Sequence, residues 1–146
     1  MTRKLRLDSP FGRHHVFNRV ARRDFFLEPV DAKHVFLDVL ASLPERHGVR
    51  IHGYALMSNH FHLMLETPRA NLSRTMQDAL SRFTKQTNRM RGWDGPIFRG
   101  RFGSQAVYSE EQWRYLLAYL HLNPVHAGIV ADPEAWGWSS SNAYTN

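Results

Sequence analysis

Two histidines flank one bulky apolar residue, His60-Phe61-His62, inside the run Met57-Ser58-Asn59-His60-Phe61-His62-Leu63-Met64-Leu65-Glu66, which alternates as a strand does. Side chains of a strand point to opposite faces in turn, so His60 and His62 project together while Phe61, Leu63 and Leu65 project the other way. The second set can anchor a core. The first sets two imidazoles side by side on one surface, where neutral imidazole is the commonest protein metal ligand. A bare His-x-His pair suits a solvated strand equally well. A second stretch, Tyr119-Leu120-His121-Leu122-Asn123-Pro124, gives the pair a chemical context. Tyr119 and Asn123 stand four residues apart and share a helix face, as does Tyr115 one turn earlier. Packed across the histidine face, this helix would bring the Asn123 amide oxygen to His60 and His62. Two nitrogens and one oxygen leave positions open for water and a phosphate oxygen, as Mg²⁺ or Mn²⁺ prefers in phosphoryl transfer. Tyr119 would then stand beside the ion as a nucleophile, with Tyr115 as its rival.

The elements that must position these groups follow from periodicity. Arg13–Val20 has the β-branched and aromatic character of a first strand, with Arg19, Arg22 and Arg23 gathered at its end as possible phosphate contacts. Asp31 is the expected N-cap of a helix to about Arg46. Val35, Phe36, Val39, Leu40 and Leu43 form its apolar stripe, Pro44 should kink or shorten its last turn and Gly48 is its stop signal. Residues 49–56 form a second strand that turns at Met57-Ser58-Asn59 into the histidine strand, an antiparallel hairpin. Asn71 is the expected cap of a long helix from Leu72 to about Arg91, buried through Leu72, Met76, Leu80, Phe83 and Met90. Arg82, Lys85 and Arg89 are among the cations on its other side, a plausible backbone contact for nucleic acid. The loop Gly92–Gly103 interleaves Phe98 and Phe102 with Arg99 and Arg101. That mixture suits single-stranded nucleic acid, where arginine meets phosphate and rings stack on bases, although such rings can equally tuck into a core. A short strand at 104–108 follows, then Ser109-Glu110-Glu111-Gln112, which has the form of a capping box, and a helix to Asn123 that Pro124 should break.

Composition sets the bounds. The chain has 146 residues, 42% of them hydrophobic, which suits one compact domain over 1–146 with a basic arm at about 1–10 and a tail at about 131–146. There is no cysteine, so disulfides and thiolate zinc sites are excluded, in keeping with a reducing cytoplasm. No apolar run reaches the roughly 20 residues of a membrane helix, and no secretory signal follows the basic start. A formal net charge of +6 points toward polyanionic partners, nucleic acid first.

The chain resembles the REP-associated tyrosine transposases, in the single-tyrosine branch of the HUH endonucleases. The resemblance is carried by Tyr54-Ala55-Leu56-Met57-Ser58-Asn59-His60-Phe61-His62-Leu63, by Glu66-Thr67-Pro68 followed by Asn71-Leu72-Ser73, and by Phe98-x-Gly100-Arg101-Phe102. It continues through Tyr119-x-x-Leu122-Asn123-Pro124-Val125-x-Ala127-Gly128-Ile129-Val130 to Trp138-Ser139-Ser140. It implies an α+β fold with a ferredoxin-like or RRM-like central antiparallel sheet and packed helices. It also implies a transposase that uses Mg²⁺ or Mn²⁺ to cleave and rejoin single-stranded DNA at REP-like hairpins through a 5′-phosphotyrosine link. His60 and His62 match the HUH pair, Tyr119 the nucleophile and Asn123 the third metal ligand. Family members occur as monomers and as homodimers. Two other classes remain open on the residues alone: a metallonuclease that uses water in place of tyrosine, and a non-catalytic nucleic-acid-binding domain on the same fold.

Overall fold

A computed structural model describes residues 8–21 and 27–143, with the backbone of 144 and 145. Arg22, Arg23 and the first seven residues of the expected basic arm lie outside the described residues. The elements run β1 (Gly12–Arg19), α1 (Val30–His47), β2 (Arg50–Leu56), β3 (His60–Thr67), α2 (Leu72–Arg91), β4 (Gly103–Val107) and α3 (Glu110–His126), then a 3-10 turn at Pro133–Ala135 and α4 (Ser141–Thr145). The four strands form one sheet in the order β2-β3-β1-β4, every neighbour antiparallel. The βαββαβ order with β1 and β3 central is the ferredoxin-like arrangement that the family resemblance implies.

Strand alternation divides the sheet into two faces. Phe61, Leu63 and Leu65 of β3, Val16 of β1 and Val20 just beyond it pack with Val35, Phe36, Val39, Leu40 and Leu43 of α1 and Leu72, Met76, Ala79 and Phe83 of α2. On the opposite face a smaller cluster joins Ala55, Met64 and Val107 to Trp113, Leu116 and Leu120 of α3. The larger core secures the fold; the smaller one seats the helix that carries Tyr119.

Leu117 of that helix rests over Gly53. A Cβ there would stand 2.5 Å from Leu117 Cδ1, so the absence of a side chain at 53 is what lets Leu117 occupy this space in its present rotamer. A register shift between Ile51 and Gly53 locally bends β2 beneath the helix. Beyond α3, the chain returns along the outer edge of β2. Leu56 N–H donates to the Trp138 carbonyl and Ser140 N–H to that of Tyr54, both within 3.0 Å. The edge is thereby covered. Trp136 packs down on the same edge, its indole N–H donating to the Leu56 carbonyl at 2.8 Å.

Helix ends depart from expectation in three places. α1 begins at Val30 with Pro29 as cap residue, and Asp31 lies inside the first turn. There its carboxylate accepts from Ala32 N–H and Arg91. α2 starts after Asn71, but the Asn71 side chain donates to the His47 carbonyl, and the orphan Leu72 N–H is capped by Asp8 Oδ2 at 2.8 Å. α3 is capped by Ser109, whose hydroxyl accepts from Gln112 N–H at 3.0 Å, and it continues through Pro124 to His126. Proline forfeits one hydrogen bond, to Leu120, and its buried ring compensates by packing. The helix ends where Gly128 enters the left-handed region at φ 74° and Ile129 N–H bonds back to the Pro124 carbonyl.

Phe98 and Phe102 must be reassigned. Both are buried in the larger core, and the Phe98 ring lies 5.8 Å from those of Phe61 and Phe83. Neither offers a face to a base. The loop's backbone pairs with the end of β1, through a Val20–Phe98 bridge and the Arg99 N–H to Arg19 carbonyl bond, and this turns both rings inward.

Candidate active site

His60 and His62 lie on the α3 face of β3, paired across the sheet with Arg19 and Phe17 of β1. His60 Nε2 stands 3.1 Å from Asn123 Oδ1, and the Tyr119 ring meets that of His62 edge-on with centroids 6.1 Å apart. The two histidine rings are themselves 5.3 Å apart and perpendicular. All four side chains that the sequence singles out for chemistry therefore converge, and one chain supplies them all. Tyr119 is 40% exposed, open to an approaching phosphate; Tyr115, at 69%, faces solvent one turn away.

A fifth group was not evident in the sequence. His15 of β1 is buried on the same face, its Nε2 3.1 Å from His62 Nδ1 and its ring stacked on that of His62 at 5.3 Å. A histidine metal ligand characteristically engages a partner through its second ring nitrogen, which fixes tautomer and orientation. His15 holds that place for His62, and Asn59 holds it for His60, through an Oδ1–Nδ1 contact of 2.8 Å.

Electrostatics keep these rings neutral. Burial pushes the His62 pKa down to about 3, and the neighbouring His15, His60 and Arg19 add to the effect. Burial likewise lowers His60, with the Asn123 contact opposing and Arg19 reinforcing the shift, and it lowers His15. Neutral imidazole is the ligating form.

His60 makes a revealing pair of contacts. Both of its ring nitrogens face amide oxygens, of Asn59 and Asn123, yet a neutral imidazole carries one N–H. An amide turned about its Cγ presents N–H₂ to the ring instead, so these contacts are satisfied with or without an ion. Two imidazole nitrogens and one amide oxygen gathered on one surface are nonetheless a donor set that fits a divalent ion. Among the described residues no group of three or more His, Cys, Asp or Glu side chains is arranged to hold a metal.

The expected DNA contacts divide. Arg19 is exposed on the histidine face, and Arg99 and Arg101 are exposed in the loop that pairs with the end of β1. Arg82, Lys85 and Arg89 belong to α2, which covers the opposite face of the sheet, and Arg82 is already tied to Asp78 and Ser42. His121 turns away from the site to Ser140 Oγ, 2.7 Å distant, and pins α3 to the returning tail.

The sequence model of the family described as transposase IS200-like matches residues 11–122, so the chain belongs to that family of DNA transposases. Its fold is that of a REP-associated tyrosine transposase solved bound to a REP hairpin: TM-score 0.81, 19% identity, covering 96% of this chain and 82% of that one. A Deinococcus radiodurans R1 protein described as a candidate transposase is also similar, with TM-score 0.56, 16% identity, and coverage of 81% of this chain and 95% of that one. No curated protein gives a significant match. Among the described residues no helix is long and apolar enough to cross a membrane.

Proposed function

We propose that this transposase cleaves and rejoins single-stranded DNA beside hairpins, with Tyr119 as nucleophile and His60, His62 and Asn123 as holders of Mg²⁺ or Mn²⁺. One observation carries the reading: Tyr119 and Asn123 share the face of α3 that meets the histidine pair, with the Asn123 oxygen 3.1 Å from His60. The similarity in fold to a transposase bound to a REP hairpin supports hairpin DNA as the partner. Because one chain carries every proposed site residue, a monomer suffices.

In the reaction the Tyr119 oxygen attacks a backbone phosphorus and loses its proton. The new bond is O–P; the bond that breaks is P–O3′, and the leaving 3′-oxygen takes up a proton. The products are a 5′-phosphotyrosine and a free 3′-OH, and the reverse attack by a 3′-OH rejoins the strand. The phosphodiester energy is kept in the covalent link, so no nucleotide cofactor is required. A bound divalent ion supplies charge neutralisation at the phosphate and at the leaving oxygen. His15 holds His62 in one orientation, Asn59 holds His60, and Arg19 at the rim meets an adjoining phosphate.

The test is incubation with a hairpin oligonucleotide bearing unpaired flanks, with Mg²⁺ or Mn²⁺, and with a continuous duplex of the same sequence as the comparison. A covalent adduct mapping to Tyr119 by mass spectrometry, absent in Tyr119→Phe, is the expected result. An adduct on Tyr115, cleavage without any adduct, or equal rates on duplex and single strand would overturn it in favour of a hydrolytic nuclease or another nucleophile.

A further inference from the structure

Phe17 lies on the site face of β1, directly across the sheet from His62, and is 40% exposed. Its ring centroid is 6.5 Å from that of His62 and 5.2 Å from that of His15, so it borders the imidazole group of the site. On its other flank stands Gly103 of β4, its cross-strand partner. A Cβ on Gly103 would fall 2.3 Å from Phe17 Cε2 and 2.6 Å from Cζ. The ring is therefore laid down over the glycine backbone, which is the space it occupies instead of standing free. A large apolar ring left open on a working face is the informative exception to burial, and here its position is held by a neighbour with no side chain.

We propose that Phe17 is the stacking platform for an unpaired nucleobase next to the phosphate that reacts, a role that rests on the single-strand cleavage reading above. Four features select this occupant. The ring adjoins the group of side chains that would receive the phosphate, so a base one sugar away falls over it. Arg19, two residues along the same face and exposed, supplies the cation for the next phosphate. Interleaved arginine and aromatic groups on a sheet surface are the means by which single strands are held, because every base has a π-face and phosphate pairs with guanidinium. Phe98 and Phe102, the rings of the arginine-rich loop, are buried and leave this work undone. Bases paired in a duplex cannot occupy the platform, so Phe17 also contributes to the choice of strand state.

The experiment uses the Tyr119→Phe chain, so that binding is read without cleavage, and hairpin oligonucleotides carrying 2-aminopurine at each unpaired flanking position in turn. One flanking position should show protein-dependent quenching. Phe17→Leu, which keeps an apolar side chain but has no π-face, should abolish that quenching and weaken binding on the order of ten- to a hundred-fold, the range for loss of one stacked base. Phe17→Trp should retain both. Melting temperatures confirm that each variant is folded. If no flanking position responds to Phe17→Leu and affinity stays within two-fold, the platform is refuted. The two readings fail separately: a Tyr119 adduct in the unmodified chain together with Phe17-independent quenching removes only the platform. Phe17-dependent quenching without an adduct removes only the cleavage chemistry.

Discussion

Replacing Phe98 with alanine separates the two roles that an aromatic residue in an arginine-rich loop can have. Its ring is 9% exposed and meets Phe61 nearly perpendicularly and Phe83 at 46°, each with centroids 5.8 Å apart. Deleting a buried phenyl ring costs about 3–5 kcal/mol, of which each aromatic pair supplies about 0.5–1.5. Phe98 sits at the margin of the core, where neighbouring side chains can partly collapse into the gap, so the lower end applies, about 3 kcal/mol. For a chain of this length a loss of that size lowers the melting temperature by about 6–12 °C. Urea unfolding at equilibrium measures it, and an unchanged slope would show that stability alone has moved. The Phe17→Ala variant serves as the contrast, with a smaller stability loss of about 1–2 kcal/mol because Phe17 is already 40% exposed. If Phe98→Ala unfolds at the same urea concentration as the parent yet loses DNA affinity, the core assignment is wrong and the ring is a surface contact.

Two further predictions rest on groups remote from the reacting atoms or on their ionisation. Asp8 accepts from Thr67 Oγ1 at 2.7 Å, contacts His14 Nε2 at 3.1 Å and caps Leu72 N–H at 2.8 Å; Asp8→Ala should cost about 2–4 kcal/mol and speed amide exchange at Leu72. The His62 pKa lies near 3 in the fold against 6.5 for a free side chain, so between these values the unfolded chain binds the extra proton. Metal-free stability should therefore fall as pH drops from 6.5 toward 3, by up to about 1.4 kcal/mol per pH unit, and His62→Gln should flatten the slope seen in denaturant titrations across that window.

The elements were legible because each carries its own period, alternation in β2 and β3 and apolar stripes at helical spacing in α1 and α2, whereas the ferredoxin-like order was implied by the resemblance to the transposase family. The pairing of Tyr119 with Asn123, and of His60 with His62, was legible for the same reason, since each pair lies within one element. His15 and Phe17 were not, because their membership of the site depends on the register of β1 against β3, which is a relation between elements. A signal did exist: Arg13, His15, Phe17 and Arg19 alternate along β1, and once β1 is taken as the neighbour of β3 all four belong on one face. Loop composition could not say which way Phe98 and Phe102 point. Arginine and aromatic residues interleave equally well when the rings turn inward, and hydrogen bonds between the loop and the end of β1 decide the matter. The cap of α2 was missed because it comes from Asp8, 64 residues away in sequence, where local rules look only to Asn71.

The position of the imidazoles is a consequence of the core on the other side of the sheet. Phe61, Leu63 and Leu65 are fully buried against α1 and α2, and strand alternation then leaves His60, His62 and Met64 no face but the one beneath α3. A slip of β3 by one residue would expose three large apolar side chains and bury two histidines among leucines, at about 1.5–3 kcal/mol for each apolar group lost from the core. The register that fixes the candidate metal ligands is thus enforced by residues that never touch substrate. Tyr119 and Asn123 depend in turn on a second, smaller constraint. Leu117 rests where Gly53 has no side chain, and Trp113, Leu116 and Leu120 fill the space above Ala55 and Met64. The separation of His60 from Asn123 is therefore set by how α3 rests on β2 and β3. A Cβ at Gly53 would meet the tip of Leu117, a flexible side-chain end that can swing aside, so Gly53→Ala should move the Leu117 rotamer before it moves the helix or the Asn123 amide.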